Sequence, residues 1–251
     1  MVGSTYYVGN KFVGCFLIDS GDGLILIDTG MPCFVYQLFE SIRKLEFDPC
    51  DIKLILLSHA HYDHIGAARI VKEYTGARLF IGREELPVLH ERKEYILTEG
   101  HEYQDFEVDD YYTETEPVRL GNVEIRTIYT PGHTEGTYSF FFDQEENGKV
   151  LHCGMMGGIG TVTLQDEMLE KYPRPLTLRQ DYINSLEFLK TIPVDVVIPS
   201  HPDQLEGFPL KNDEGYNPYI DSSRWGRMMD DWIARMQRVI CGSRYKEELK
   251  K

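Results

Sequence analysis

A short segment with four candidate metal ligands constrains this sequence more than any other feature. Residues 53–57 (KLILL) form an apolar run typical of a buried strand, and His59, His61, Asp63 and His64 follow closely. In an extended chain His59 and His61 point to the same side, and the next turn can direct Asp63 and His64 to a neighbouring point. Imidazole and carboxylate groups suit Zn²⁺ or iron. Because burying these groups so closely without a cation would be costly, the segment predicts a metal site.

The remaining pattern predicts a layered α/β fold in which strands and helices alternate. The predicted strands lie at 12–18, 23–27, 53–57, 78–81, 118–129, 137–143, 149–153 and 194–199. The predicted helices lie at 34–45, 66–75, 179–191 and 222–240. No repeat or linker interrupts this order, so we expect one domain over residues 1–251, with two packed sheets and helices outside.

Charge and cysteine usage narrow the function classes. The chain has 26 Lys+Arg against 41 Asp+Glu, a net charge of −15, which disfavours nucleic acid and anionic membranes as partners. No apolar run approaches the roughly 18 residues of a membrane span, and the start lacks the pattern of a signal peptide. Five scattered cysteines without a CxxC pair are typical of reduced thiols. We therefore expect a cytoplasmic protein with a small-molecule substrate; its oligomeric state stays open.

Four motifs, in the same order along the chain, resemble those of the metallo-β-lactamase superfamily. Residues 58–66 (SHAHYDHIG) resemble its HxHxDH signature, and residues 24–30 (LILIDTG) resemble the strand that supports it. Residues 130–136 (TPGHTEG) and 196–202 (VVIPSHP) resemble the motifs that deliver two further histidines. The resemblance implies a four-layered αββα sandwich with a metal site at one edge.

The same resemblance implies six metal ligands in two sites. The ligands are His59, His61 and His133 for the first site, and Asp63, His64 and His201 for the second. It implies two zinc ions, with iron or manganese as alternatives, which lower the pKa of water so that a hydroxide attacks the substrate. Asp63 is expected to orient this hydroxide and to accept a proton, and Asp28 to hold a ligand or a loop amide through hydrogen bonds.

One position departs from the common pattern. Many superfamily members carry Gly-Asp after the strand near residue 150, and that Asp bridges both metals; here Gly154 and Met155 stand there. Since a thioether is a poor bridge between hard cations, the set resembles the third subclass of metallo-β-lactamases, which lacks a bridging Asp or Cys. Met155 is expected to narrow the pocket or to pack against the substrate. Cys153 is expected to be a small buried residue.

The implied activity is metal-dependent hydrolysis of an amide, lactam or ester-like bond. A lactonase or thioesterase of the same fold is the nearest alternative. A diiron redox protein would favour a carboxylate in place of His61 and a bridging Asp, and a non-catalytic binding protein would normally lose ligands.

Three features beside the ligands could shape substrate binding. The acidic, tyrosine-rich stretch 92–117 is too long for a plain connection and could cover the site. Tyr62 lies between ligands and could shape the pocket. Arg174 and Arg179 are the nearest candidates to bind a substrate carboxylate.

Overall fold

Two mixed β-sheets form the centre of this computed structural model, which describes residues 1–210 and 217–249. The first sheet contains, in spatial order, β1 (Thr5–Tyr7), β2 (Phe16–Asp19), β3 (Leu24–Ile27), β4 (Ile52–Leu56), β5 (Arg78–Ile81) and β6 (Asp110–Tyr111). The second contains β7 (Val118–Leu120), β8 (Val123–Tyr129), β9 (Tyr138–Glu146), β10 (Lys149–Met155) and β11 (Val196–Val197), also in spatial order. The helices are α1 (Val35–Lys44), α2 (Tyr62–Ile65), α3 (Ala68–Thr75), α4 (Leu86–His90), α5 (Asp166–Lys171), α6 (Thr177–Lys190) and α7 (Arg224–Leu249).

Alternation along the strands explains why both faces of each sheet are covered. In β2, Phe16 and Ile18 face the second sheet, where they join Phe140 of β9 in a shared core. Leu17 faces the opposite way and packs in a cluster that includes Ile42 of α1. A third cluster covers the outer face of the second sheet with residues of α6 and α7. These three apolar clusters separate four layers, which confirms the predicted αββα sandwich.

Strand direction brings the motif-bearing loops to one edge. β3 and β4 are parallel, so the segment after Ile27 and the segment after Leu56 leave the first sheet on the same side. β10 and β11 are also parallel, and β8 runs the same way because β9 is antiparallel to both β8 and β10. The loops that follow β3, β4, β8 and β11 therefore meet at a single edge of the sandwich.

Among the differences between the structure and the predicted elements, three lie close to the site or border it. The strand expected at 118–129 is a hairpin of β7 and β8, and the helix expected at 66–75 is preceded by the separate turn of α2. The stretch 92–117 contains a 3₁₀ turn at Lys93–Ile96 and the strand β6, and its Tyr112 is buried. Its apolar side chains pack on the core, so it is an ordered wall rather than a solvated loop.

Within the described ranges, no helix combines the length and the apolar character that a membrane crossing requires.

Gly132 offers a test of the loop that carries His133. Its φ of +140° suits glycine, and a Cβ there would lie 2.4 Å from the Cα of Tyr182 in α6. We expect Gly132→Ala to lower the free energy of unfolding by about 2 kcal/mol or more in urea titrations, because both backbone strain and a steric clash arise.

Gly226 in α7 is the matched control. A Cβ at Gly226 would meet nothing within 4 Å. Gly226→Ala should leave the free energy of unfolding unchanged or raise it by up to about 1 kcal/mol. If the free energy of unfolding falls equally in the two variants, the close packing of the 130–136 loop against α6 is contradicted.

Candidate metal centre

All six predicted ligands converge at the shared edge, where they form two adjacent triads. Within each triad the candidate ligand atoms lie within 4.8 Å of one another. The first triad is His59, His61 and His133; the second is Asp63, His64 and His201. Every side chain of the first triad is buried, whereas Asp63 and His201 of the second are partly open to the solvent.

Hydrogen bonds on the far side of the rings set the tautomers of the first triad. The Nδ1–H of His133 donates to the carbonyl oxygen of Gly160 at 2.7 Å, so the Nε2 of this neutral ring carries a lone pair. The hydroxyl of Ser58 donates to Asp28, and it therefore accepts a hydrogen bond from His59 Nδ1 at 3.0 Å. His59 consequently also presents a lone pair at Nε2.

These two lone pairs meet at the third histidine. His61 Nδ1 lies 3.0 Å from His59 Nε2 and 2.9 Å from His133 Nε2. The opposite nitrogen of His61, Nε2, is buried and has no hydrogen-bond partner among the described residues. His61 thus resembles the other two in directing one nitrogen at a common point, but it does so with Nδ1.

The second triad has the same construction. His64 Nδ1–H donates to Asp28 Oδ2 at 2.7 Å, and His201 Nδ1–H donates to the carbonyl oxygen of Phe12 at 2.8 Å. Their Nε2 lone pairs therefore face each other across 3.1 Å. Asp63 Oδ2 lies 3.6 Å from the first of these nitrogens and 3.5 Å from the second.

The donor sets fit divalent cations. Facing lone pairs repel each other unless a positive charge lies nearby, and zinc–nitrogen bonds of about 2.0–2.1 Å place tetrahedral ligands roughly 3.3 Å apart. The separations of 2.9–3.1 Å between ring nitrogens are close to that spacing. Three imidazoles in one triad and two imidazoles with a carboxylate in the other match the chemistry of zinc and of similar first-row metals.

Burial keeps the first triad in the protonation state that binds metal. Burial, reinforced by the neighbouring rings, lowers the pKa of His59 and of His61 well below the ordinary value. Burial likewise lowers the pKa of His133, to about 3. In the second triad burial opposes charge on His64, yet Asp63 and Asp28 outweigh it and raise the pKa of His64. Neutral rings at the first triad need no deprotonation before they coordinate a cation.

Asp28 holds a ligand and a loop amide, as predicted, and in doing so it connects both triads from behind. Its carboxylate is fully buried and accepts hydrogen bonds from the backbone nitrogen and the hydroxyl of Ser58, both at 2.8 Å, as well as from His64. Through the Ser58 hydroxyl it also orients His59. One carboxylate therefore holds a ring in each triad.

An open cleft of about 610 Å³ lies over the two triads. The stretch 97–101 forms one side, so the predicted excursion does border the site. The hydroxyl of Tyr62, which also lines the cleft, donates to the Glu102 carbonyl oxygen at 3.1 Å, and its ring stacks on His101. Apolar lining residues are Phe12, Met31, Leu97, Ile159, Val162 and Trp232.

Met155 does not occupy the place that the sequence predicted. It is fully buried, pairs with Phe140 across β9 and belongs to the core between the sheets, so it neither narrows the cleft nor reaches a substrate. Strand alternation explains the error, because Cys153 and Met155 share the inward face of β10. Cys153 is buried, as expected, and burial raises the pKa of its thiol to about 12, which disfavours a thiolate ligand.

The two arginines proposed for substrate binding have other partners. Arg174 is buried, contacts the His133 carbonyl oxygen at 3.4 Å and lies 3.6 Å from Glu135. Arg179 donates to the Leu164 carbonyl oxygen and to Asp166, both at 2.8 Å. Neither lines the cleft, so the expectation that they bind a substrate carboxylate was wrong.

Glu85 is a buried group that the sequence analysis missed. It is completely buried after β5, and its carboxyl oxygen accepts a hydrogen bond from the hydroxyl of Thr134. Burial raises the pKa of Glu85 to about 7, although Thr134 and Arg174 oppose this shift. The contact braces the loop next to His133. Since Glu84 beside it is exposed, sequence alone offered no signal to separate the two.

A sequence model of the metallo-β-lactamase superfamily matches residues 8–201, a range that contains all six converging ligands. The chain belongs to the metallo-β-lactamase superfamily. Among solved members, BJP-1, a subclass B3 metallo-β-lactamase of Bradyrhizobium japonicum, has a TM-score of 0.86 at 24% identity, over 98% of this chain and 94% of that one. The class B3 di-zinc enzyme LRA-12 from an Alaskan soil metagenome has a TM-score of 0.81 at 26% identity, over 95% and 92%. The third-subclass resemblance is thereby confirmed.

A different activity is named among the sequence relatives. The N-acyl homoserine lactonase of Bacillus thuringiensis is 26% identical over 165 residues, which are 57% of this chain and 62% of the lactonase. The chain thus spans less than two thirds of that relative's length. A third activity is named for the hydroxyacylglutathione hydrolase GloC of Haemophilus influenzae, which is 30% identical over 153 residues, 58% of this chain and 68% of that protein. The similar proteins thus carry three named activities.

Asp28→Asn tests the connection between the triads. An asparagine presents only one acceptor oxygen in place of two, so Ser58 and His64 cannot both keep their bonds. We expect metal affinity to fall about 10- to 100-fold in a chelator competition assay. Asp19→Asn is the control, because the Asp19 side chain accepts a turn hydrogen bond from the Gly21 amide and lies outside the cleft. An unchanged affinity in Asp28→Asn would contradict this role.

Proposed function

We propose that this protein is a hydrolase with two divalent cations that opens an amide, lactam or ester-like bond of a small molecule. The observation that carries the proposal is the pair of triads at the base of an open cleft, each with ligand atoms directed at one point. His59, His61 and His133 would hold one cation, and Asp63, His64 and His201 the other. The di-zinc relative supports zinc, with iron and manganese as alternatives.

Two cations held there would supply a polarised water and a Lewis acid for the carbonyl of the substrate. The chain's own contribution begins with Asp63, which lines the cleft. Burial by itself raises the pKa of Asp63, but His64 and His201 outweigh it, so the pKa lies below its ordinary value. Asp63 is therefore ionised at neutral pH, and its carboxylate is placed to accept a proton from the attacking water.

The remaining residues orient the site and limit the access of water. Asp28, Gly160 and Phe12 fix the rings through their far nitrogens, so the ligand geometry exists before a substrate arrives. The apolar cleft wall excludes water around a bound acyl group.

The relatives favour three substrate classes, and the hydroxyacylglutathione hydrolase supports a thioester. Subclass B3 structures support a lactam, and the lactonase supports a lactone, which is an ester. All three reactions use a nucleophile and a polarised carbonyl, so the same site serves each of them. The relatives named above are hydrolases, so they favour a hydrolytic role over a redox or purely binding one. Location in the cytoplasm, organisation as one domain and the absence of nucleic-acid and membrane partners stay predictions of the sequence.

Metal removal tests the proposal directly. After treatment with a chelator and dialysis, hydrolysis of chromogenic lactams, lactones and thioesters should fall by at least about 100-fold and return when Zn²⁺ is added, because both nucleophile and electrophile depend on the cations. Elemental analysis of the reloaded protein should give two metals per chain. Activity that is indifferent to chelation would refute the proposal.

Single variants should show that the two triads bind their cations independently. His133→Ala should weaken binding of one cation and His201→Ala that of the other, since each removes one ligand from a different triad. Cobalt titrations followed by absorbance would resolve the two binding steps. His152→Ala is the matched control, because His152 is exposed, pairs with Asp143 and lies outside the cleft. Loss of both cations in both variants would show that the assignment to two triads is wrong.

A further inference from the structure

The cleft wall contributed by α7 carries a cation with no assigned role. Arg235 lines the cleft, and its guanidinium carbon lies 4.3 Å from the ring centroid of Trp232, one turn earlier. Arg235 is the single Lys or Arg side chain that lines this cleft among the residues the structure describes. Within those residues no carboxylate forms an ion pair with it.

Arg235 projects from a helix that is packed on the core of the protein. Trp225 of α7 is buried and donates from Nε1 to the Leu189 carbonyl oxygen at 2.8 Å, and Met229 and Met236 are fully buried in the outer core. The helix is thus anchored to α6, and Arg235 and Trp232 project from a fixed support. A guanidinium stacked on an indole ring keeps its planar set of N–H donors free, which suits a carboxylate bound through two hydrogen bonds.

The electrostatic surroundings make this cation selective. The chain carries a net charge of −15, and Asp63, Glu99 and Asp203 line the same cleft. Away from the two proposed cations, these carboxylates repel an anionic ligand, and the one cationic side chain that offers it a place in the described cleft lining is Arg235. The apolar side chains of the cleft wall favour an uncharged, hydrophobic group in the rest of the ligand.

We propose that Arg235, supported by Trp232, determines specificity by binding a carboxylate of the substrate, and that the substrate is an anionic acyl compound with an apolar side group. This inference rests on the proposed hydrolase function. It favours a substrate with a free carboxylate over a neutral lactone, because a neutral lactone gains nothing from Arg235.

Two substrates that differ only in charge test the proposal. A chromogenic lactam with a free carboxylate is compared with its primary carboxamide in wild type, Arg235→Gln, Arg235→Lys and Arg238→Gln. We expect Arg235→Gln to lower kcat/KM for the acid by about 10- to 100-fold, mainly through KM, as for a lost charge-assisted pair. For the carboxamide, kcat/KM should change less than about twofold, because an uncharged amide makes no ion pair with Arg235 that the substitution could remove.

The other variants are controls for charge and for helix stability. Arg235→Lys should recover part of the loss, because a lysine keeps the charge but not the paired donors. Arg238→Gln removes an exposed arginine from the same helix outside the cleft and should match wild type on both substrates. Equal effects of Arg235→Gln on acid and carboxamide, or a wild-type preference for the carboxamide, would overturn the proposal.

A binding experiment distinguishes this failure from failure of the hydrolase proposal. N-phenylacetylglycine and its primary amide, neither of which has a strained ring, are titrated while tryptophan fluorescence is recorded. Wild type should bind the acid at least about tenfold more tightly than the amide, and Arg235→Gln should lose this difference. If no substrate is hydrolysed but this difference is found, the hydrolase proposal fails and the carboxylate site stands. If hydrolysis occurs but the difference is absent in wild type, the carboxylate site fails alone.

Discussion

The buried carboxylate of Asp28 is the interaction on which the geometry of the site depends. It follows β3 with a φ of 55°, a left-handed conformation that aspartate tolerates better than most residues. Removing a carboxylate from water is costly, and three hydrogen bonds from Ser58 and His64 offset that cost. Because those bonds reach one ring in each triad, the strand end and the ligand loop form one rigid unit.

The ligands and the cleft walls come from different kinds of structure. The ligands follow strand ends of both sheets, whose positions are set by three apolar clusters. The walls come from the stretch 97–101, the loop after β10 and the helix α7. Side-chain substitutions in the stretch 97–101 or on α7 leave the hydrogen bonds behind the ligands intact, whereas the loop after β10 supplies one of them through the Gly160 carbonyl oxygen. Substrate range and metal binding are therefore separable at the first two walls.

His59, His61, Asp63 and His64 were predictable from the sequence because they lie in one dense motif after a strand, whereas His133 and His201 were assigned through the family resemblance. The αββα layers followed from alternating apolar runs and from the family resemblance. Met155 was misplaced because an inward strand position and a cleft position look the same in a glycine-rich stretch. Arg235 and the Gly160 carbonyl oxygen carry no local motif: the first needs the packing of α7, and the second is a backbone atom that any residue would supply.

The site lies across the seam between the two halves of the sandwich. His59, His61 and His64 come from the first sheet, whereas His133 and His201 come from the second, and the contact between His64 and His201 joins positions 137 residues apart. A cation bound by such distant segments would link the two sheets, and its site would be complete only once both sheets have packed together. Metal would then bind late in folding, and its loss would weaken the contact between the two sheets before either sheet unfolds.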